Sequence, residues 1–284
     1  MSAVKPVLWI TGAGGLVGRE LLRTADQWAP AYRPVGLARA DLDLADFPAV
    51  RAAFERDRPA LVIHCAAMSR VPDCQRDPAA AVRINVEATA CLAGLAANIP
   101  LFFLSTDQVF DGRAGPYNER DAANPLHVYG QTKVAAEQAV LRHPRHAVVR
   151  LSLIYGRSLE GNRAFNENLE RAWERGETTP LFTDEFRCVL PLPVAARALG
   201  ELAGRGASGL FHLGGAERLS RWQIGQLLAA RQPRFRPLLV EASLRNHLGP
   251  PRPPDLSFDC AKIQRLLSFP LPKFSEWLAA HPEA

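Results

Sequence analysis

The chain of 284 residues is long enough for one large α/β unit or for a cofactor domain with a smaller second lobe, and either buries a sizeable core. With 48% hydrophobic and 22% charged residues it has the balance of a soluble globular enzyme, which excludes a disordered, fibrous or membrane-embedded chain. A net charge of +5 admits a nucleic-acid partner, but no run of basic residues interleaved with aromatics accompanies it, and an anionic small substrate explains the excess as well.

An apolar run, Pro6 to Thr11, opens the chain, and a glycine-rich turn ends it too early for a signal peptide or a spanning helix. A cytoplasmic location without a membrane partner is expected. Short apolar runs then alternate with helix-period segments. Strands are expected at Val7–Thr11, Val35–Ala38, Leu61–Cys65, Leu101–Ser105 and Ala147–Leu151, with helices beginning near Leu16, Pro48, Pro78 and Val128. This rhythm reads as α/β, a doubly wound parallel sheet with right-handed crossovers. It breaks after about Gly156. A helical segment (Asn162–Gly176), a loop rich in Asp, Glu and Phe, a helix from Pro193 to Ala203, a strand (Leu210–Leu213) and a helix capped by Ser220 follow. The Pro-rich stretch Gly249–Pro254 reads as an extended loop. Residues 1–155 are expected to form a cofactor domain, and residues 156–284 mainly a smaller C-terminal α/β substrate lobe with segments returning to the first core. Between Arg231 and Arg265, seven basic residues (Arg231, Arg234, Arg236, Arg245, Arg252, Lys262, Arg265) face three acidic ones, which a solvated basic face explains equally well.

The first strand runs into Thr11-Gly12-Ala13-Gly14-Gly15-Leu16-Val17-Gly18, then an amphipathic helix. Glycines at 12, 15 and 18 permit a tight turn, close approach of backbone to a pyrophosphate and close helix–strand packing, with free N–H groups at the helix start facing the anion. In strand–turn–helix context this is the dinucleotide fingerprint of a Rossmann sheet. The second strand ends in Ala38-Arg39, where a free ribose 2′-hydroxyl would usually meet an acid. Arg39 is expected to pair instead with a 2′-phosphate, which favours NADP(H), while a plain surface charge is the alternative for Arg39 and Asp41 and Asp43 leave NAD(H) open.

Ser105-Thr106-Asp107 closes a strand and Tyr129-Gly130-Gln131-Thr132-Lys133 opens a helix. A separation of four puts Tyr129 and Lys133 on one helical face, where the ammonium is expected to lower the phenol towards neutrality and make it a general acid and base.

On these residues the chain resembles the extended short-chain dehydrogenase/reductase family, within the NAD-dependent epimerase/dehydratase superfamily. The segment Leu104–Gly112, Asn124-Pro125-Leu126, Leu42-Asp43-Leu44, Ala66-Ala67, Asn85-Val86 and the late Arg252-Pro253 with Leu256-Ser257-Phe258-Asp259 are similar to the dTDP-4-dehydrorhamnose reductases of that family. The resemblance implies a catalytic set of Thr106, Tyr129 and Lys133. It implies cofactor contacts from Gly12, Gly14, Gly15, Leu16, Val17, Gly18, Asp43, Leu44, Ala66, Ala67 and Ser105, and a bracing role for Asn85. Asp107, Gln108, Val109 and Phe110 would face the substrate, and Arg187 and Arg252 would lie near nucleotide-sugar phosphates, with a structural salt bridge equally open. Three departures stand out: Gln108 where that group has Tyr, Cys188-Val189-Leu190 where it has a Pro-Thr pair, and Ala38 where an acid is usual.

The expected activity is NADPH-dependent reduction of a keto group on a nucleotide-linked deoxysugar. An epimerase or dehydratase of the same fold is the enzymatic alternative. A non-catalytic regulatory subunit similar to the β subunit of methionine adenosyltransferase is the rival from another class, supported by Phe258-Asp259-Cys260. A homodimer is left open. Five scattered cysteines and seven dispersed histidines show no ligand spacing, so no metal is expected. Trp173, Trp222 and Trp277 read as helix packing.

Overall fold

The structure, a computed structural model, describes residues 4–283 apart from the side chains of Arg236 and Pro237. Arg236, one of the basic residues counted above, therefore lies outside the described side chains. Strands β1 (Val7–Thr11), β2 (Arg33–Leu37), β3 (Leu61–His64), β4 (Leu101–Thr106), β5 (Ala147–Leu151) and β6 (Gly209–Leu213) form one sheet. Their order is β6-β5-β4-β3-β1-β2, with every neighbouring pair parallel. Strands covered on both faces need apolar residues at successive positions, and β1, β3 and β4 are buried throughout.

The covering helices are α1 (Leu16–Arg23), α2 (Phe47–Asp57), α3, α4 (Val128–Leu141), α5 (Phe165–Glu174), α6 (Leu192–Gly204) and α7 (Arg221–Arg231). Helix α3 runs over Pro78–Val82, opens into one π-turn at Arg83–Glu87 and resumes over Ala88–Leu95. Alternation along each strand divides the core in two. Leu8, Ile10, Ile63, Phe102 and Val149 pack with Leu21 of α1 and Leu199 and Leu202 of α6. Trp9, Val62, Phe103 and Val148 pack on the opposite face with Val50, Leu92 and Val140.

A third cluster, with Tyr155, Trp173, Ile224, Leu228 and Phe274, is the core of the later segments, and places Trp173 in packing. Ser220 caps α7 through a reciprocal box: its hydroxyl accepts from Gln223 N at 3.1 Å while Gln223 Oε1 accepts from Ser220 N at 2.8 Å. The helix expected from Asn162 begins instead at Phe165. The Glu167 carboxylate accepts from the N–H groups of Ser158, Arg163 and Ala164 at 2.5, 3.0 and 2.9 Å, so the preceding backbone is satisfied without a helical turn. Other boundaries move by a residue or two. No described helix is long and apolar enough to cross a membrane.

From β1 the chain goes outward to β2, then returns to place β3 on the other side of β1. That reversal opens a crevice beyond the carboxyl ends of β1 and β3, where ligands of open α/β sheets bind.

His64 on β3 and His212 on β6 have no exposed surface, and burial pushes each imidazole down to about 3. An unfolded histidine titrates near 6.5, so below about that pH the unfolded chain takes up protons the folded one refuses. The histidine contribution to stability is complete above about pH 6.5 and falls with pH by about 1.4 kcal/mol per unit for each residue. Urea unfolding at about pH 7 and about pH 5.5 checks this; equal stability at both would show that the two rings are hydrated.

Candidate active site

Gly12 sits at φ +67°, and a Cβ there would lie 2.6 Å from Ala66 N. A Cβ on Gly18 would lie 2.4 Å from Gly12 O. Glycine is therefore demanded at both positions, by contact of the turn with the exit of β3 and of α1 with the turn. Gly15 N–H donates to Gly12 O at 2.8 Å, closing the turn. Gly14 is exposed, and a Cβ there would meet Ala38 at an ordinary 3.6 Å, so the protein's own packing does not require it. Leu16 and Val17 are half-buried, Val17 packing onto the first core. Ala66 and Ala67 lie half-buried where the chain leaves β3.

A cleft runs between Gly14, Gly15 and Leu16 on one side and Arg157, Ser158, Leu159 and Arg163 on the other, with Arg19 on its wall. The sequence carried no signal for Arg157 or Arg163, because nothing in local spacing links them to the turn.

Arg39 is exposed and joins no hydrogen bond or ion pair among the described residues. The neighbouring acids are committed to their own backbone: Asp41 Oδ2 accepts from Ala38 N at 2.8 Å and Asp43 Oδ1 from Ala45 N at 3.0 Å. Leu44 packs on the second core. Asp43 and Arg83 line a further recess, where Arg83 donates to Ala45 O at 2.7 Å and covers the Phe47 ring at 5.1 Å.

At the end of β4, Thr106 Oγ1 donates to Asp107 Oδ1 at 3.2 Å and accepts from Gln108 N at 3.2 Å. Gln108 Oε1 is 2.9 Å from His127 Nε2, and His127 Nδ1 accepts from Gly130 N at 3.2 Å. Because Nδ1 accepts, Nε2 carries the proton and donates to Gln108. His127 is thus the N-cap of α4, and Gln108 aims it. Asn85, on the π-turn of α3, accepts from Met68 N at 2.8 Å and donates to Met68 O and Thr132 Oγ1, both at 3.0 Å. Thr132 in turn donates to Tyr129 O at 2.8 Å, so Asn85 ties the exit of β3 to the first turn of α4.

Tyr129 and Lys133 do share the helix face, but the ammonium does not act on the phenol as expected. Lys133 Nζ donates to Leu104 O at 2.6 Å and lies 3.8 Å from the centre of the Phe103 ring. Burial raises the Tyr129 phenol above its ordinary value, and the Thr106 hydroxyl beside it pulls the other way without prevailing. At a site only 9% exposed, desolvation of the phenolate sets the direction, while the Lys133 ammonium is held by a carbonyl of β4. Asp107 is also raised by burial, against the opposing pull of Arg187.

Three other expected contacts, Val109, Phe110 and Ser105, are turned to the protein interior, and Arg187 and Arg252 take the salt-bridge alternative. Val109 and Phe110 have almost no exposed surface and close an apolar cluster with Tyr117, Leu256 and Phe258, Phe110 stacking on Tyr117 at 3.9 Å. Val109 ends the 3₁₀ turn Asp107–Val109 and Phe110 is its C-cap, and both side chains are spent on this cluster. The Ser105 hydroxyl donates to Glu137 Oε1 at 2.5 Å and is spent on the protein interior rather than a cofactor. Arg187 is buried, 3.1 Å from Glu185 and 3.8 Å from Asp107. Arg252 pairs with the same Glu185 at 2.6 Å and stays partly exposed. Glu185 and Arg221, which joins them at 3.8 Å, were not legible in the sequence.

A Cβ at Gly130 would fall 2.3 Å from Gln108 O and 2.7 Å from Pro125 Cβ. Gly130→Ala is therefore expected to push the first turn of α4 off the end of β4 and lower kcat about 100-fold, since misplacement by about 1 Å has that cost. Steady-state kinetics checks it; unchanged kcat would mean that the turn yields without moving Tyr129.

Among the described residues no group of three His, Cys, Asp or Glu side chains is placed to hold a metal. A doubly wound sheet, a glycine turn at its switch point and a Thr–Tyr–Lys set on β4 and α4 define a nucleotide-binding protein of the short-chain dehydrogenase class. The chain belongs to the RmlD substrate binding domain family, which it matches over residues 6–283. A dTDP-4-dehydrorhamnose reductase of Streptomyces griseus is 36% identical over 219 residues, covering 73% of this chain and 70% of that protein. A methionine adenosyltransferase 2 subunit beta of Danio rerio is 31% identical over 274 residues, 90% of this chain and 84% of that one. The fold matches a solved dTDP-4-dehydrorhamnose reductase of Bacillus anthracis str. Ames in complex with NADP, with a TM-score of 0.88, 23% identity and 98% of each chain covered.

Proposed function

We propose that this protein reduces a keto group on a nucleotide-linked deoxysugar, in the manner of the dTDP-4-dehydrorhamnose reductases it resembles, with NADPH as hydride source. The observation that carries this reading is the meeting of the Thr106 hydroxyl and the Tyr129 phenol at the carboxyl end of β4, with Lys133 one helical turn below. A phenol that burial keeps protonated is what reduction needs, because the reacting carbonyl oxygen must receive a proton. Thr106 holds that oxygen and Tyr129 hands its proton over, while Asp107, whose Oδ2 is buried without a hydrogen-bond partner, stands beside them as an acceptor for a substrate hydroxyl.

The glycine turn suits a dinucleotide: Gly12 and Gly18 keep it compact, and Gly14 is exposed on it. Gly12, Gly14, Gly15, Leu16 and Gly18 would hold the pyrophosphate, Asp43 and Leu44 the adenine side, Ala66 and Ala67 the crevice floor, and Lys133 the nicotinamide ribose. A nicotinamide held there would supply the hydride for the carbonyl carbon. Arg39, free beside two acids that are already engaged, would take a 2′-phosphate. Residues 1–155 serve as the nucleotide unit and 156–284 mainly as the substrate lobe of a cytoplasmic enzyme, for which a homodimer remains part of the reading.

Titration with NADPH and NADH by reduced-nicotinamide fluorescence tests the frame. NADPH is expected to bind more tightly, and Arg39→Ala to remove most of the preference, about 10-fold or more for one charge-assisted contact of about 1.5–3 kcal/mol. Equal affinities in the parent protein would remove Arg39 from the site. Tightly retained NAD(H) with no net use of NADPH would favour an epimerase or dehydratase.

A second reading draws on the 31% identity to a methionine adenosyltransferase 2 subunit beta across most of both chains. On that reading the protein regulates a partner enzyme. A stoichiometric complex in affinity capture, together with no turnover of any nucleotide-linked ketone, would favour it.

A further inference from the structure

Along α4, Glu137 follows Lys133 by one turn, as Lys133 follows Tyr129, so the three lie in a row on one helix face. The Glu137 carboxylate is 3% exposed and has three donors. Its Oε1 accepts from Ser105 Oγ at 2.5 Å and Arg150 Nε at 2.9 Å, and its Oε2 accepts from Arg150 Nη2 at 2.6 Å. Arg150 is itself fixed from behind. Its Nη1 lies 3.3 Å from His212 Nε2, and His212 Nδ1 is 3.1 Å from Tyr117 O, so Nδ1 donates and Nε2 accepts.

Among the described residues, the groups facing Lys133 from other elements leave it no second anion. From β4 come the Leu104 carbonyl and the Phe103 ring. From β3 comes His64, which is neutral: its Nε2 donates to Thr89 at 3.0 Å because the Thr89 hydroxyl is spent on Asn85 O. Cys65 follows it, a thiol pushed up to about 12 by burial and hence uncharged. Tyr129 on its own helix is protonated. The enclosed set therefore holds two cations, Lys133 and Arg150, and one carboxylate, Glu137.

We propose that Glu137 is a positioning residue that keeps the Lys133 ammonium charged, and that Arg150 competes with Lys133 for this one carboxylate. Burial alone would discharge an amine so enclosed, and Glu137 is what opposes it. Ser105 and Arg150 hold the carboxylate in place and draw off part of its field, which leaves the lysine close to its titration point. Burial lowers Lys133 to about 7, with Glu137 first among the groups that raise it. A lysine poised there gains or loses its charge within the working pH range. That has meaning for turnover only if the reductase reading holds, since Lys133 is catalytic on that reading.

The test reads the lysine directly. The chain has four lysines, Lys5, Lys133, Lys262 and Lys273, and their isotope-labelled side chains can be followed by NMR against pH, with Lys133 assigned by its loss in Lys133→Met. The expected result is a near-neutral Lys133 midpoint that moves down by about one pH unit or more in Glu137→Gln, a tenfold change in charged fraction, and up by a similar amount in Arg150→Gln. Opposite shifts cannot come from loss of packing, which both variants share. A Lys133 midpoint unmoved in both would overturn the proposal. Should either variant fail to fold, Glu137→Asp, which withdraws the carboxylate by one methylene, is expected to move Lys133 down by less; no shift there would overturn it equally. Neither substrate nor cofactor enters the measurement, so it can fail while the reductase reading stands, or succeed where no ketone is reduced.

Discussion

Replacing Tyr129 by phenylalanine is expected to lower ketone reduction by about 100- to 10,000-fold, the usual worth of a positioned proton donor, while NADPH affinity stays within about twofold. The ring would keep its place, packed with Cys74 and Ala81 and against Met68, Val71 and Val128. Only the hydroxyl that faces Thr106 is lost, and Asn85, Thr132 and the His127 cap still hold the first turn of α4. The developing alkoxide would then have Thr106 as a hydrogen-bond donor and no acid of suitable placement, because Lys133 is turned to Leu104. Initial rates with NADPH and a nucleotide-linked 4-keto sugar check it, with fluorescence titration beside them. A variant within about threefold of the parent would place the proton donor elsewhere and leave Asp107 as the next acid to examine.

What could be read from the sequence was what local spacing carries. The apolar runs at Val7–Thr11 and Ala147–Leu151 match β1 and β5 end to end, and the glycine turn follows β1 directly. Two residues four apart on a helix share a face whatever surrounds them, so Tyr129 and Lys133 were legible as a pair. What the lysine touches was not, because its partner is a carbonyl on β4 that only the packing of α4 across the sheet brings within 2.6 Å. The run from Asp107 to Phe110 shows the converse error. Consecutive residues look like one pocket wall in sequence, but a 3₁₀ turn sends Asp107 towards Arg187 while Phe110 stacks on Tyr117. Gln108 was legible as a departure from the resembling group, and its link to the cap of α4 was not, since 19 residues separate it from His127.

The Glu185 cluster was the least legible feature and carries the other large expected effect: Glu185→Ala should lower the free energy of unfolding by about 3–5 kcal/mol, the cost of breaking a buried ion pair from one side. Glu185 is 1% exposed and holds Arg187 at 3.1 Å, Arg252 at 2.6 Å and Arg221 at 3.8 Å. Burial acts to raise its carboxyl, and the three arginines outweigh it, Arg187 first, so that it ionises below the usual range. Without it, Arg187, 4% exposed, would keep the Phe186 and Pro253 carbonyls but no anion nearer than Asp107 at 3.8 Å, and Arg221, already lowered to about 10 by burial, would lose its nearest anion. Arg252 adds little to the cost, because at 39% exposure it can turn to water. The arginine positions were visible as candidates for phosphate contact, yet the carboxylate that gathers them lies 67 residues from Arg252, beyond any local pattern. Urea unfolding of Glu185→Ala is best read against Glu177→Ala, which breaks a pair with Arg175 in which both side chains are more than half exposed and should leave the midpoint unchanged. A loss below about 1 kcal/mol for Glu185→Ala would mean that water reaches all three guanidinium groups. They would then be free to meet a diphosphate without first giving up a buried partner.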